Sequence, residues 1–138
     1  MKRYILIDHT ADLGAFFYGA DAQEVFVNAG LALFDLMVEH PPGQGRKTSR
    51  VALDGADRED LLVRWLNELL YLFQVQGLVL IGVKMEDFSE TRLAAELTMT
   101  PFDLEAHGLK NEIKAATYHQ LELRPTPKGW RARVIFDL

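Results

Sequence analysis

DREDLLVRWLNELLYLFQVQGLVLIGVKM, residues 57–85, contains the change of period on which the fold turns. Up to Gln76 its apolar residues keep helical spacing: Leu61, Leu62, Trp65, Leu66, Leu69, Leu70 and Phe73 recur at steps of three and four and define one buried face. Asp57 precedes them as a helix cap. From Leu78 the pattern becomes period two, and residues 79–85 read as a strand. The same alternation returns at residues 93–99, 118–123 and 130–136, with Thr126-Pro127-Lys128-Gly129 turning the last pair into a hairpin.

Upstream, residues 48–53 alternate like a strand, and Pro41-Pro42-Gly43-Gln44-Gly45 stops an earlier helix because proline lacks the N–H that a helix needs. That helix starts at Ala22 behind Asp21, with Glu24 three residues on completing a capping box. Ala22, Val25, Phe26, Ala29, Leu33, Leu36 and Met37 form its apolar face. Gly30 inside it costs roughly 1 kcal/mol relative to Ala, so a close neighbour is expected to occupy the missing side chain's place. Two short strands, residues 4–7 and 15–18, flank the polar turn around Asp8-His9-Thr10-Ala11-Asp12. Strands, two helices and then a run of strands predict an α+β fold: one domain over residues 1–138, a mostly antiparallel sheet, and two main helices packed on one face.

Composition narrows the function classes. With 138 residues, 49% hydrophobic and 25% charged, the chain can bury a single core. Twenty acidic against fifteen basic residues give a formal charge of -5, which repels a phosphate backbone unless the basic residues are gathered on one face. Tight autonomous nucleic-acid binding is therefore not expected. The absence of cysteine removes disulfides, thiolate metal sites and a cysteine nucleophile. Neither a signal peptide's apolar region nor a run of roughly 20 apolar residues is present, so a soluble cytoplasmic protein is expected, with no membrane partner.

Three stretches carry potential chemistry. In Asp8-His9-Thr10-Ala11-Asp12-Leu13-Gly14, two carboxylates, an imidazole and a hydroxyl share one tight connection, where several oxygens can converge on a hard cation. The same residues also read as a plain turn, with Asp12 in an Asx-turn before Gly14 and His9 capping the strand. Phe136-Asp137-Leu138 sets a side-chain carboxylate beside the chain's final carboxylate, directly after an apolar strand. Residues 102–119 mix acids, bases and two imidazoles, among them Asp103, Glu105, His107, Lys110, Glu112, Lys114, Thr117 and His119, as a phosphate or partner surface or as an ordinary polar edge. A zinc site or metal-dependent hydrolase centre from His9, His107 and His119 lacks any pair at helical i, i+4 spacing. No glycine-rich phosphate loop, G-x-S-x-G elbow, H-E-x-x-H or dinucleotide fingerprint occurs, which argues against an enzyme. The aromatic residues do not form the stacking motif of single-stranded RNA readers, so RNA is expected to be met through a partner.

His9-Thr10-Ala11-Asp12-Leu13-Gly14 resembles the opening motif of the archease family, and three later blocks agree in the same order. They are Asp60-Leu61-Leu62-Val63-Arg64-Trp65-Leu66-Asn67-Glu68-Leu69-Leu70, then Glu112-Ile113-Lys114-Ala115-Ala116-Thr117-Tyr118-His119, then Val134-Ile135-Phe136-Asp137-Leu138. The resemblance implies a non-catalytic activator of the GTP-dependent RNA-splicing ligase, promoting its guanylylation and multiple turnover in tRNA splicing and RNA repair. It also implies a divalent metal, calcium, held by Asp12 and Asp137 with an oxygen of Leu138. Asp8, His9, His107 and Lys114 fall at family positions with partner-binding or other functional roles. Thr100-Pro101-Phe102-Asp103 departs from the Gly-Glu that the family often carries there. An alternative role in the same family is a chaperone or specificity modulator of a tRNA-modifying enzyme such as a tRNA methyltransferase.

Overall fold

Two aspartates set where the helices begin. In the computed structural model, which describes residues 4–7, 12–45 and 47–138, Asp21 Oδ1 accepts from the Glu24 N–H at 2.8 Å. Glu24 Oε1 reaches back to the Ala20 N–H at 3.0 Å, so the capping box forms with its return bond one residue further upstream. The helix that follows is α1, Ala22–Met37. The second helix, α2 (Arg58–Gln76), repeats the device: Asp57 Oδ1 accepts from the Asp60 N–H, and Asp60 Oδ2 accepts from the Ala56 N–H, both at 2.8 Å. Gly77 closes α2 in the left-handed region, its N–H turned back to Phe73 O, and lets the chain enter a strand at once.

The strands are β1 (Tyr4–Ile7), β2 (Leu13–Gly19), β3 (Lys47–Asp54), β4 (Leu78–Phe88), β5 (Arg92–Pro101), β6 (Ala115–Ala116), β7 (Glu122–Thr126) and β8 (Gly129–Asp137), with a one-turn helix α3 (Leu104–His107) between β5 and β6. All pairings are antiparallel, as expected, but the strands divide between two sheets. One is β3-β5-β4. The other runs β1-β2-β8, and the far edge of β8 is shared by β7 along its first half and β6 at its end.

The strand expected over 118–123 needs correcting, because pairing begins only at Glu122. Thr117 is spent on β8, its N–H and hydroxyl both donating to Ile135 O at 3.0 and 2.8 Å. The chain then turns through Gln120 at a positive φ of 51° before β7 starts. β7 is an edge strand and so tolerates Pro125.

Side chains from both helices and both sheets form one buried cluster. Each fully buried leucine of α2, such as Leu61, Leu66 and Leu69, contributes about 1.5–3 kcal/mol through removal from water. The expectation for Gly30 holds: a Cβ there would stand 3.0 Å from Leu69 Cδ1 and 3.2 Å from Trp65 Cζ2. The Trp65 indole N–H donates to Phe26 O at 2.8 Å, which locks its ring into that gap. No helix among the described residues is long and apolar enough to cross a membrane.

Candidate functional site

The β2–β8 ladder decides which of the sequence candidates meet. Its pairs run from Gly19↔Trp130 to Leu13↔Phe136, so Asp12 and Asp137 are the residues that directly follow its last pair, on neighbouring strands. Gly14 makes this close pairing possible, since a Cβ there would come 2.9 Å from Ile135 Cδ1 and 3.1 Å from Ile7 Cβ. On the other side of β8, β6 pairs Ala115 with Asp137, and the Lys114 N–H donates to Asp137 O at 2.8 Å. Four residues from three distant stretches therefore share one sheet end. Asp8 and His9 lie outside the described residues.

His107 belongs to the same end of the molecule but to a different neighbourhood. α1, about 24 Å long, returns along β2, about 23 Å long, so its C-terminal turn comes back towards Leu13. Residues 107–111 wrap that turn: His40 N–H donates to His107 O at 2.7 Å, and Lys110 N–H to Met37 O at 2.7 Å. The His107 ring is engaged locally, its Nδ1 accepting from the Asp103 N–H at 2.9 Å and its face tilted on Phe102. The bond at Nδ1 leaves Nε2 as the ring's donor. His119 sits apart from it, in the turn after β6. Among the described residues no three acids or histidines come together as an ion-binding group.

Two polar side chains of α2 hold β6 against β8, and sequence reading did not single them out. Asn67 Oδ1 accepts from the Ala116 N–H at 2.7 Å while its Nδ2 donates to Ala116 O at 3.1 Å, so one amide satisfies both backbone groups as a neighbouring strand would. Two turns on, Gln74 Nε2 donates to the carbonyls of Ile113 and Lys114 at 2.9 and 3.2 Å. The only signal was an amide directly after the buried Leu66 and another directly after Phe73 on an amphipathic helix. Asn67→Ala is expected to destabilise the protein by about 1–3 kcal/mol, because the nearly buried Ala116 N–H loses its partner. Hydrogen exchange at Ala116 should accelerate well beyond the global change; uniform acceleration at all amides would refute this local role.

Asp60 ties the same segment down at its other end. Tyr118 O–H donates to Asp60 Oδ1 at 2.5 Å, while Oδ2 takes Arg64 Nε at 2.9 Å and the Ala56 N–H. The Tyr118 hydrogen bond, then the Ala56 N–H and Arg64, draw the Asp60 carboxyl down to about 2. The same bond raises the Tyr118 phenol. A native value below the unfolded one of about 3.9 means that this contribution to stability is complete above about pH 4 and is lost as pH falls towards 2. Urea midpoints measured between pH 2 and pH 5 should fall less steeply for Asp60→Asn than for the wild type. Identical acid profiles would show that the linkage is absent.

Comparison with known proteins adds an independent line. Residues 4–138 match the family model described as the Archease protein family (MTH1598/TM1083). The chain is 39% identical to the protein archease of Methanosarcina acetivorans, covering 99% of this chain and 97% of that one. It is 35% identical to that of Pyrococcus abyssi over the full length of both. Among solved structures, the solution structure of Methanobacterium thermoautotrophicum protein 1598 superposes with a TM-score of 0.80 at 33% identity over the whole of both chains. The crystal structure of a Thermotoga maritima archease, called a possible chaperone, has a TM-score of 0.66 at 20% identity, covering 96% of this chain and 94% of that one, and shares the fold.

Proposed function

The chain belongs to the archease family, and from that membership we propose that it is a cytoplasmic, non-catalytic activator of a GTP-dependent RNA-splicing ligase, promoting the ligase's guanylylation and multiple turnover in tRNA splicing and RNA repair. The observation that supports the reading is the β2–β8 register, whose last pair, Leu13↔Phe136, is followed directly by Asp12 on one strand and Asp137 on the other, beside Lys114 and Leu138. Like charges held opposite each other on neighbouring strands are unfavourable. A cation between them offsets that repulsion.

The donors are all oxygen, which suits a hard divalent ion, calcium first, with Asp12 and Asp137 as carboxylate ligands and Leu138 adding a main-chain oxygen. Calcium takes about 6–8 oxygens, so water completes the shell. When bound, the ion supplies positive charge for anionic groups brought to this end by the ligase. Lys114 adds a second positive charge there, and His107, held by Asp103, offers its Nε2 donor to the docked partner.

Guanylylation of the cognate ligase by labelled GTP, with and without this protein, tests the proposal. Faster guanylylation and repeated turnover are the expected result, and an unchanged rate would sink it. The second reading, a chaperone for a tRNA-modifying enzyme, draws on the exposed apolar side chains Tyr71 and Val75 of α2 and Leu104 of α3, which could hold a client. Co-purification of a tRNA methyltransferase without a ligase would favour it.

A further inference from the structure

Alternation along two strands gives the outer face of the five-stranded sheet a chemistry unlike the rest of this acidic chain. In β2, Ala15 and Phe17 are buried, so Phe16 and Tyr18 point outward; in β8, Ala132 and Val134 are buried, so Arg131 and Arg133 do. The register sets Phe16 beside Arg133 and Tyr18 beside Arg131, while β7 adds Arg124 beside Arg131 and Glu122 beside Arg133. The Arg131 guanidinium lies over the Phe16 ring, 4.6 Å from its centre.

Around the β7–β8 hairpin the described charges of this face are unbalanced, although Asp12 and Asp137 lie at its other end. Glu122 receives Arg124 at 2.7 Å, Arg131 at 2.9 Å and Arg133 at 3.4 Å, so one carboxylate there answers three guanidiniums, and Lys128 at the hairpin tip adds a further cation. A chain of net charge -5 thus gathers basic residues on one face, the condition under which repulsion of phosphate is lifted. At the hairpin end the face deepens into a mostly apolar cavity of about 410 Å³ bounded by Ile5, Tyr18, Pro127, Lys128, Trp130 and Arg131. That volume is in the range of small-ligand sites.

We propose that this face binds single-stranded nucleic acid, with one base in the cavity against Tyr18, a second on the Phe16–Arg131 stack, and phosphates on Arg124, Arg133 and Lys128. Phe16 and Tyr18 are two residues apart on one strand, about 7 Å, twice the rise of about 3.4 Å per base in a stacked strand. Bases on both positions therefore come from an extended, unstacked strand. An acidic peptide would satisfy the cations but leave the rings and the apolar cavity without a planar partner. Linear spacing could not show this face, because β2 and β8 come from opposite ends of the chain. The inference is independent of the ligase reading and uses a different part of the sheet from Asp12 and Asp137.

Fluorescence anisotropy with labelled oligouridylate and oligothymidylate of about ten nucleotides, and with an RNA duplex of the same length, tests it in EDTA so that no metal takes part. Both single strands are expected to bind at low salt, and the duplex at least about tenfold more weakly. Tyr18→Leu and Arg131→Lys should each weaken single-strand binding by about fivefold or more, whereas Tyr18→Phe, which keeps the ring, should retain it. Arg124→Gln should reduce the salt slope by about 0.7. Lys84→Gln, on the exposed side of β4 in the other sheet, should change nothing. Equal affinity for duplex, no binding at about 25 mM salt, or equal loss in Lys84→Gln would overturn the proposal. So would self-association of the protein that Tyr18→Leu abolishes, since a second copy would then cover the face.

Discussion

Asp137→Asn and Asp12→Asn are each expected to remove the stabilisation of this protein by calcium, and with it the stimulation of ligase guanylylation. The two carboxylates stand one step beyond the last β2–β8 pair, so each loses most of its affinity for an ion when the other is neutralised. At a calcium concentration about 100 times its dissociation constant, wild-type stability should rise by about 2.7 kcal/mol. Either variant should lose nearly all of that gain. In EDTA the sign reverses: with no ion present, neutralising the exposed Asp137 relieves repulsion, and its thermal midpoint should equal or slightly exceed that of the wild type. Calcium titration followed by calorimetry and by the guanylylation assay reads both effects on the same samples. Undiminished calcium stabilisation in both variants would remove the carboxylate pair as the site, and full stimulation without bound ion would separate activation from metal.

The largest effect on folding is expected from Trp65→Ala, a loss of about 3–5 kcal/mol. Trp65 is fully buried, lies against the gap left by Gly30, and donates its indole N–H to Phe26 O, so it fixes α2 against α1 by shape and by hydrogen bond together. A domain of this size has about 5–15 kcal/mol of stability, so the variant should be near the edge of folding at physiological temperature. Trp65→Phe should cost less, because most of the apolar volume remains. Chemical denaturation gives both values. Adding Gly30→Ala to Trp65→Ala should recover part of the loss, since the new methyl enters the vacated space and the helix gains propensity. Strict additivity would mean that the two positions do not share that space.

Particular residues show how far the fold was readable. Asp21 with Glu24 and the apolar face from Ala22 to Met37 placed the start of α1, because capping and helical periodicity are local signals; its end falls at Met37, ahead of the expected stop at Pro41, where Val38 turns extended and bridges Leu109. Asp57 and the run from Leu61 to Phe73 did the same for α2. β6, at two residues, is too short to display any period, and residues 118–121 alternate in sequence without pairing because Thr117 and Tyr118 are already engaged by Ile135 and Asp60. The division into two sheets was invisible, since period two states that a strand exists and not which neighbour it takes.

The site followed the same rule. Asp12, Asp137, Leu138 and Lys114 lie in stretches whose residue types already carried potential chemistry; the resemblance assigned Asp12, Asp137 and Leu138 a shared role, and their assembly depends on a register between strands from opposite ends of the chain. Asn67 and Gln74, which brace that assembly, looked like ordinary polar residues of an amphipathic helix.

The amide of Asn67 has one more effect. By filling the hydrogen bonds that Ala116 would offer to a neighbouring strand, it caps the β6 edge with a helix side chain. An incoming polypeptide cannot extend the sheet there by strand addition, and uncontrolled edge-to-edge aggregation is blocked for the same reason. A partner that uses this side of the sheet end is therefore left with the strand tips, their side chains and carbonyls, and not with a free strand edge at β6.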